Sequence, residues 1–506
     1  MHYFLDPIVN FIHGDGLVIL PQMELLLFAL GILIFDFLLE KNEKHFSAYL
    51  ALAGVTAAAL GLYMQYKKHD AVYSNTASNA AVLGFHDGVL VDGFSLFFSV
   101  LFLAATALVI LLSIRYLDIE HEQAGEFYAL LLFACIGMVF MASGLDLVVL
   151  FLGFETMALS FYILTGFLRR EKRSNEAAAK YFLLGSFGSG ILLYGFSLLY
   201  GVGSSTNVIQ IGDILDKRLR YTSAHALTDW LVILAFVTVA AGMFVKIAAA
   251  PFHQWAPDAY QGAPTPISAF LSVGSLTACF AVFLRLLTSV FSASQPTWAH
   301  VITVVAIVSL IWGNLAAITQ NNLKRLLTYS SISHVGYILL GIVAWNESGF
   351  VGILYYLFAY VFMTVGTFTI IIILRQRDLI GDELRDLDGL CQRSPALALL
   401  LLLFMLSLAG VPPTAGFLGK YFIFQALLAS HHSNLAIVAA LFTLPGVYYY
   451  FRVIHHAWLK KPSEESPNIA ISIPELLALI VTAFVTLAAG LYPEPFTHLV
   501  RYALGQ

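Results

Sequence analysis

Six side chains in this sequence have the chemistry to carry a proton through an apolar medium: Glu155, Lys180, Lys246, His253, His334 and Lys420. Lys246 stands alone among apolar residues between Leu227 and Ala249, and Pro251, Phe252, His253, Gln254 and Trp255 follow it. A charge at the centre of a membrane helix costs roughly 2.5–3.5 kcal/mol. A proline removes the backbone hydrogen bond to the carbonyl four residues earlier, here that of Ile247. Broken backbone at that depth is tolerated only inside protein or beside a water-filled cavity. Discontinuous helices of this kind build ion sites near the midplane of transporters. The plainer alternative is a proline kink with a lysine reaching for the interface.

Lys420 repeats the arrangement. Ala409-Gly410-Val411-Pro412-Pro413-Thr414-Ala415-Gly416 interrupts an apolar stretch of more than thirty residues, and Lys420 follows seven residues after Pro413. That stretch is too long for one straight crossing. Glu155 lies mid-span in Gly153-Phe154-Glu155-Thr156-Met157, where its natural role is counter-ion to a lysine. His253 and His334 sit among hydroxyls and broken backbone; a histidine accepts and passes a proton near neutral pH, though a structural histidine fits each position equally well. Lys180 lies about one turn into its helix, where an interfacial position explains it as well as a buried one. Lysines suit proton switching better than arginines, whose guanidinium does not deprotonate in proteins. The expectation is therefore Lys246 as central switching group with Glu155 as its partner.

The elements that position these groups follow from composition. Of 506 residues, 59% are hydrophobic and 11% charged, far below the ~25% charged of soluble domains. The class is all-α integral membrane protein, lying in the lipid bilayer. No polar block long enough for a soluble domain interrupts the chain, no Gly-rich nucleotide loop follows a strand, and nucleic acid is excluded as a partner. Cys135, Cys279 and Cys391 are isolated, so no metal centre, iron–sulfur cluster or other cofactor is expected on this chain. The first basic residue is Lys41, so no cleavable signal peptide is expected.

At about twenty apolar residues per crossing, the sequence predicts about fourteen spans, at 17–39, 46–64, 89–114, 127–142, 144–167, 177–201, 227–249, 264–290, 300–318, 327–344, 350–374, 395–428, 434–457 and 472–492. The odd-numbered connections hold fifteen Lys and Arg, Lys41, Lys324, Arg325 and Arg377 among them, and the even-numbered ones five. That bias places the odd connections in the cytoplasm and both termini on the periplasmic side. Arg285 and Arg452 near span ends, and Arg501 in the tail, are explained by snorkelling or a solvated end; Glu24 and Asp36 flank span one as interfacial groups. Broken spans seven and twelve, five apart, suggest a five-helix unit used twice. An odd unit inverts its second copy. The chain then divides into 1–126, with spans one to three; 127–291, the first repeat, spans four to eight; 292–458, the second, spans nine to thirteen; and 459–506, span fourteen and tail.

Three long stretches carry a resemblance: PFHQWAPDAYQGAPTPISAFLS (251–272), NLKRLLTYSSISHVGYILLG (322–341) and LAGVPPTAGFLGKYFIF (408–424). They resemble the antiporter-like membrane subunits of respiratory complex I, the proton-pumping NADH:quinone oxidoreductase, over about Leu90 to Trp458. GFETMALSFYIL and DLDGLCQRSPALALLL make the chain most similar to subunit N. The resemblance implies a fourteen-helix fold with inverted five-helix repeats. It also implies a translocase subunit of the inner membrane, working beside other membrane-arm subunits, with proton translocation through Glu155, Lys180, Lys246 and Lys420. Redox chemistry, FMN, iron–sulfur clusters and quinone would belong to other subunits. One departure stands out: the usual lysine of span eight is Leu276 here, so either water with Ser275, Thr277, His253 or His334 bridges the gap, which is the expectation, or this copy conducts differently. The same motifs occur in Mrp-type sodium/proton antiporters and membrane-bound hydrogenases, which remain open alternatives, as does a purely structural scaffold.

Overall fold

The computed structural model describes residues 15–38, 44–76, 81–122, 125–221, 226–375, 381–462 and 469–505, without side chains for 73–76, 219–221 and 226–229. Lys41 and Arg377, and the side chain of Arg220, therefore lie outside the described residues.

The chain runs through α1 (Leu20–Leu38), α2 (Phe46–Thr76), a hairpin of β1 (Val82–Gly84) and β2 (Val89–Val91), α3 (Gly93–Glu120), α4 (Gly125–Ser143), α5 (Leu147–Thr165) and α6 (Lys172–Gly203). Next come α7 (Val208–Tyr221), α8 (Ala226–Lys246), α9 (Ala256–Gly262), α10 (Thr265–Ser289), α11 (Gln295–Ile318), α12 (Leu323–Ala344) and α13 (Glu347–Leu374). The last elements are α14 (Pro395–Ala409), α15 (Ala415–Ala429), α16 (Ser433–Leu459), α17 (Ile473–Leu491) and α18 (Glu494–Ala503). Among the described residues twelve helices are long and apolar enough to cross a membrane. Trp230–Lys246, α14 and α15 are shorter apolar helices.

Several boundaries move for local reasons. Span three does not begin at residue 89. Val89–Val91 pairs antiparallel with Val82–Gly84 instead, and Asp92 caps α3: its carboxylate accepts from Ser95 N–H at 2.8 Å while Ser95 Oγ accepts from Asp92 N–H at 3.0 Å. Such a reciprocal cap satisfies two backbone donors that a helix start leaves open. Asp146 likewise starts α5 by accepting from Val148 N–H, which separates α4 from α5 within three residues. Asn322 caps α12 and accepts from Arg325 N–H, so Lys324 and Arg325 belong to a helix rather than to a connection. Two amphipathic helices, α7 and α18, were not legible as spans; α7 buries Val208, Ile211 and Leu215 and leaves Lys217 and Arg218 exposed.

Burial shows which helices form the interior. α10 is buried from Thr265 through Leu287 and contains one π-type turn, Leu271–Ser275, directly before Leu276. α12 and α13 are nearly as enclosed. α1, α6 and α16 show large apolar side chains outward, such as Phe37, Phe187 and Leu444.

Candidate functional site

Two interrupted helices anchor the site, and their ends share one geometry. α8 stops at Lys246. Ala248 adopts φ 53°, and Ala249 N–H reaches back to Phe244 O at 3.0 Å. α14 stops at Ala409. Gly410 adopts φ 84°, and Val411 N–H reaches back to Leu406 O at 2.9 Å. Both are the six-to-one closure that ends many helices. An X-Pro cis peptide follows each, Ala250-Pro251 and Pro412-Pro413. At the first end Val245 O accepts twice, from Ala248 N–H at 3.3 Å and from Trp255 Nε1 at 2.7 Å. Across the break, Ala250 N–H donates to Ser309 Oγ at 2.9 Å.

Lys246 is 4% exposed. Its ammonium donates to Tyr162 Oη at 2.9 Å and faces the rings of Phe154 at 4.6 Å and Tyr162 at 5.3 Å. The expected contact with Glu155 is not formed: no ion pair joins them among the described residues. Glu155 and Phe154 are adjacent on α5, and only one of the two can turn toward the lysine. The phenylalanine does so. Glu155 remains within electrostatic reach of Lys246 and Tyr162, and its Oε1 is buried without a hydrogen-bond partner. The residue is half-buried, on the helix face that also carries Tyr162 and the exposed Leu152, Leu159 and Ile163.

Lys180 is not part of this cluster. It is half-exposed and binds Asp258 Oδ2 and Glu176 Oε1, each at 2.7 Å. Asp258, on the short helix after the break, also accepts from Arg325 at 2.8 Å. The aspartate thus ties α6 and α12 to α9.

Lys420 is enclosed in α15. Its ammonium donates to Ala409 O at 2.9 Å and Leu408 O at 3.2 Å and lies 4.9 Å from the ring of Tyr337. The last carbonyls of a helix have no partner within it and carry its negative end, so a cation there is solvated by backbone. His334 links two hydroxyls: Nδ1 meets Tyr356 Oη at 2.5 Å and Nε2 meets Tyr450 Oη at 3.0 Å. Tyr450 Oη also bonds Ser330 Oγ. Gly419, beside Lys420, packs on the Tyr356 ring; a Cβ there would lie 2.5 Å from it. His334 and the Lys420 segment are therefore coupled through Tyr356. His253 is apart from both, buried against Trp312 and Tyr329 with Nδ1 unpartnered.

Leu276 is buried, at 3% exposure. Beside it the Oγ1 of Thr277 is buried and unpartnered, as is that of Thr364 on α13. Buried polar atoms are seldom left unmet except where water or ions reach them.

Sequence reasoning missed four groups. Lys324, counted as a loop residue, is buried and donates to Ala263 O at 3.0 Å. Arg285 does not snorkel: its guanidinium holds both oxygens of Asp92 at 3.1 Å and Ala142 O at 2.8 Å. Arg452 binds the carbonyls of Ile318 and Gln320 at the end of α11. Tyr162 lay unnoticed in GFETMALSFYIL; its spacing of seven from Glu155, two helical turns, was the available signal.

A family model described as the NADH:quinone oxidoreductase/Mrp antiporter transmembrane region matches residues 144–444. The chain is 48% identical to NADH-quinone oxidoreductase subunit N 1 of Koribacter versatilis, over 97% of this chain and 96% of that one. It is 45% identical to subunit N 2 of Solibacter usitatus, over 97% of each. Among solved structures, a chain of respiratory complex I from Thermus thermophilus superimposes with a TM-score of 0.77 at 28% identity, covering 94% of this chain and 98% of that one. With buried cations at two interrupted helices and this likeness over nearly its whole length, the chain belongs to the NADH:quinone oxidoreductase/Mrp antiporter membrane family and, within it, to the subunit N proteins.

Proposed function

We propose that this chain is a proton-translocating membrane-arm subunit of an NADH:quinone oxidoreductase in the cell's inner membrane. It holds no redox centre; FMN, iron–sulfur clusters and quinone reduction belong to other subunits. The observation that carries the reading is the pair of enclosed lysines at two interrupted helices: Lys246 is the last residue of α8, and Lys420, inside α15, places its ammonium on the last carbonyls of α14. A lysine held by a hydroxyl or by carbonyls exchanges a proton when a nearby charge moves. Lys246, Lys420 and Glu155 are the switching groups, His334 with Tyr356 and Tyr450 is a relay, and His253 is a second relay. Lys180, through Asp258, reports charge at the surface to the broken segment. Water held by Thr277, Thr364 and His253 replaces the side chain that Leu276 lacks. The chain is read as fourteen crossings, with repeats over 127–291 and 292–458 flanked by 1–126 and 459–506; the matching helix ends at 246 and 409 support the repeat, and the excess of Lys and Arg in the odd-numbered connections supports periplasmic termini.

The test is NADH-driven proton uptake in inverted membrane vesicles, wild type against Lys246→Ala, with assembly checked on a native gel. Loss of uptake in an assembled complex is expected; uptake at the wild-type level would defeat the proposal. Because the matching family model also takes in Mrp antiporters, the second reading is a sodium/proton antiporter. Deleting the chain would then leave NADH oxidation unchanged and abolish sodium-dependent proton movement.

A further inference from the structure

A cavity of about 670 Å³ opens on the outer face of the N-terminal helices, and neither of the two broken-helix lysines nor either relay histidine lines it. Its walls are apolar: Val55 and Leu62 of α2, Leu96, Val100 and Leu103 of α3, and Leu499 of α18. On α2 the lining runs from Val55 to Tyr66, which at 1.5 Å per residue is about 16 Å. The hydrocarbon core of a bilayer is about 30 Å thick, so one leaflet is about 15 Å deep. The groove therefore has the length of one leaflet, from the middle of the apolar stretch 46–64 of α2 to just past its polar end, where Tyr66 and Lys67 follow.

That end is built differently from the rest. Tyr63, Tyr66 and Tyr502 line it, a ring type that gathers at membrane interfaces, together with His498. The amphipathic helix α18 lies across it and is fixed there. His69 Nδ1 meets Tyr502 Oη at 2.8 Å, and Gly93 of α3 lies so close that a Cβ would sit 2.4 Å from Tyr502 O. Lys67, next to Tyr66, is exposed with its ammonium 4.9 Å from the Tyr63 ring. Arg501, next to Tyr502, is exposed as well. The exposed acids on α2 and α18 are Asp70, one turn beyond Tyr66 on α2, and Glu494, two turns from Arg501 at the opposite end of α18. An apolar slot one leaflet deep thus ends in an aromatic collar flanked by two cations.

We propose that this groove holds one acyl chain of an anionic phospholipid, with the phosphate at the Lys67 and Arg501 end, in the leaflet on the side of the 67–92 connection. A neutral quinone would leave the two cations without a partner. A transmembrane helix of another protein, about 10 Å across, would collide with α18 where it crosses the groove.

The experiment uses the intact complex in its membrane, with phosphatidylglycerol carrying a photoreactive diazirine in the acyl chain. Cross-linked peptides are mapped by mass spectrometry. The expected result is labelling within 46–72 and 93–120, suppressed at least fivefold by excess unlabelled phosphatidylglycerol but not by phosphatidylcholine. Ala104→Trp, which fills the groove, removes that labelling. Lys67→Gln with Arg501→Gln keeps the labelling but abolishes the preference for the anionic lipid, so a folding failure of the first variant does not decide the matter. No labelling of these helices, equal competition by phosphatidylcholine, or labelling by a quinone photoprobe at the same peptides would each overturn the proposal.

Discussion

Replacing Tyr162 by phenylalanine isolates the group that holds Lys246. The change deletes one oxygen and leaves both rings against the ammonium, at 4.6 and 5.3 Å. Tyr162 Oη is the one hydrogen-bond acceptor of Lys246 among the described residues, at 2.9 Å, and the lysine is 4% exposed. A hydrogen bond to a charged group contributes about 1.5–3 kcal/mol. At 1.36 kcal/mol per decade, that is roughly a 10- to 150-fold change in any step passing through charged Lys246. Water entering the small space left by the hydroxyl offsets part of this, so a fall in pumping of roughly tenfold is expected. Gly185→Ala tests the same bond from the other side, because a Cβ there would lie 2.4 Å from the Tyr162 hydroxyl and displace it. Both variants are assayed for NADH-driven proton uptake per electron in inverted vesicles, with assembly confirmed on a native gel. If both pump like wild type while Lys246→Ala is inactive, the hydroxyl plays no part in holding the switching charge.

Three further outcomes are expected. Lys420→Met keeps the side-chain volume but abandons the carbonyls of Leu408 and Ala409; pumping should cease, and amide exchange over 408–416 should quicken. Asp92→Ala leaves the Arg285 guanidinium, 8% exposed, without its carboxylate. Stripping a buried pair of one partner costs about 3–5 kcal/mol, and the lost cap of α3 adds about 1 kcal/mol, so the native-gel band should weaken sharply on mild heating. Gly416→Ala would place a Cβ 2.0 Å from Ser407 O, a backbone atom that cannot step aside; overpacking of this kind typically costs about 1–3 kcal/mol, read as a lower thermal midpoint of the complex.

Much of the fold was legible because membrane helices write themselves as long apolar runs, and because proline and glycine mark where such runs stop. The breaks after Lys246 and Ala409 were visible this way. The start of α3 was not: Val89–Val91 is as apolar as the helix that follows, and only the Asp92–Ser95 spacing distinguishes strand from helix. Pairings were less legible than positions. Which of Phe154 and Glu155 faces Lys246 depends on the rotation of α5 about its axis, which hydropathy does not encode when both helix faces are apolar. The same blindness hid Asp258 as partner of Lys180, and Lys324 as a buried rather than solvated lysine. Backbone acceptors such as Leu408 O and Ala263 O leave no trace in a sequence at all.

The direction of those pairings along the chain has a consequence for biosynthesis. Arg285 meets Asp92, which was made 193 residues earlier. Lys246 meets Tyr162, 84 residues upstream; Lys324 meets Ala263, 61 upstream; Lys420 meets Leu408, 12 upstream. Each deeply enclosed cation thus leaves the ribosome after the group that receives it. A nascent chain inserting in order meets an acceptor already waiting in the bilayer, so no stage of synthesis obliges a deep cation to wait in lipid at roughly 2.5–3.5 kcal/mol. Among the described residues two cations run the other way: Lys180 meets Asp258, translated 78 residues later, and Arg115 meets Glu475, 360 residues later; both lie nearer the outside, Lys180 half-exposed and Arg115 with 20% of its side chain exposed.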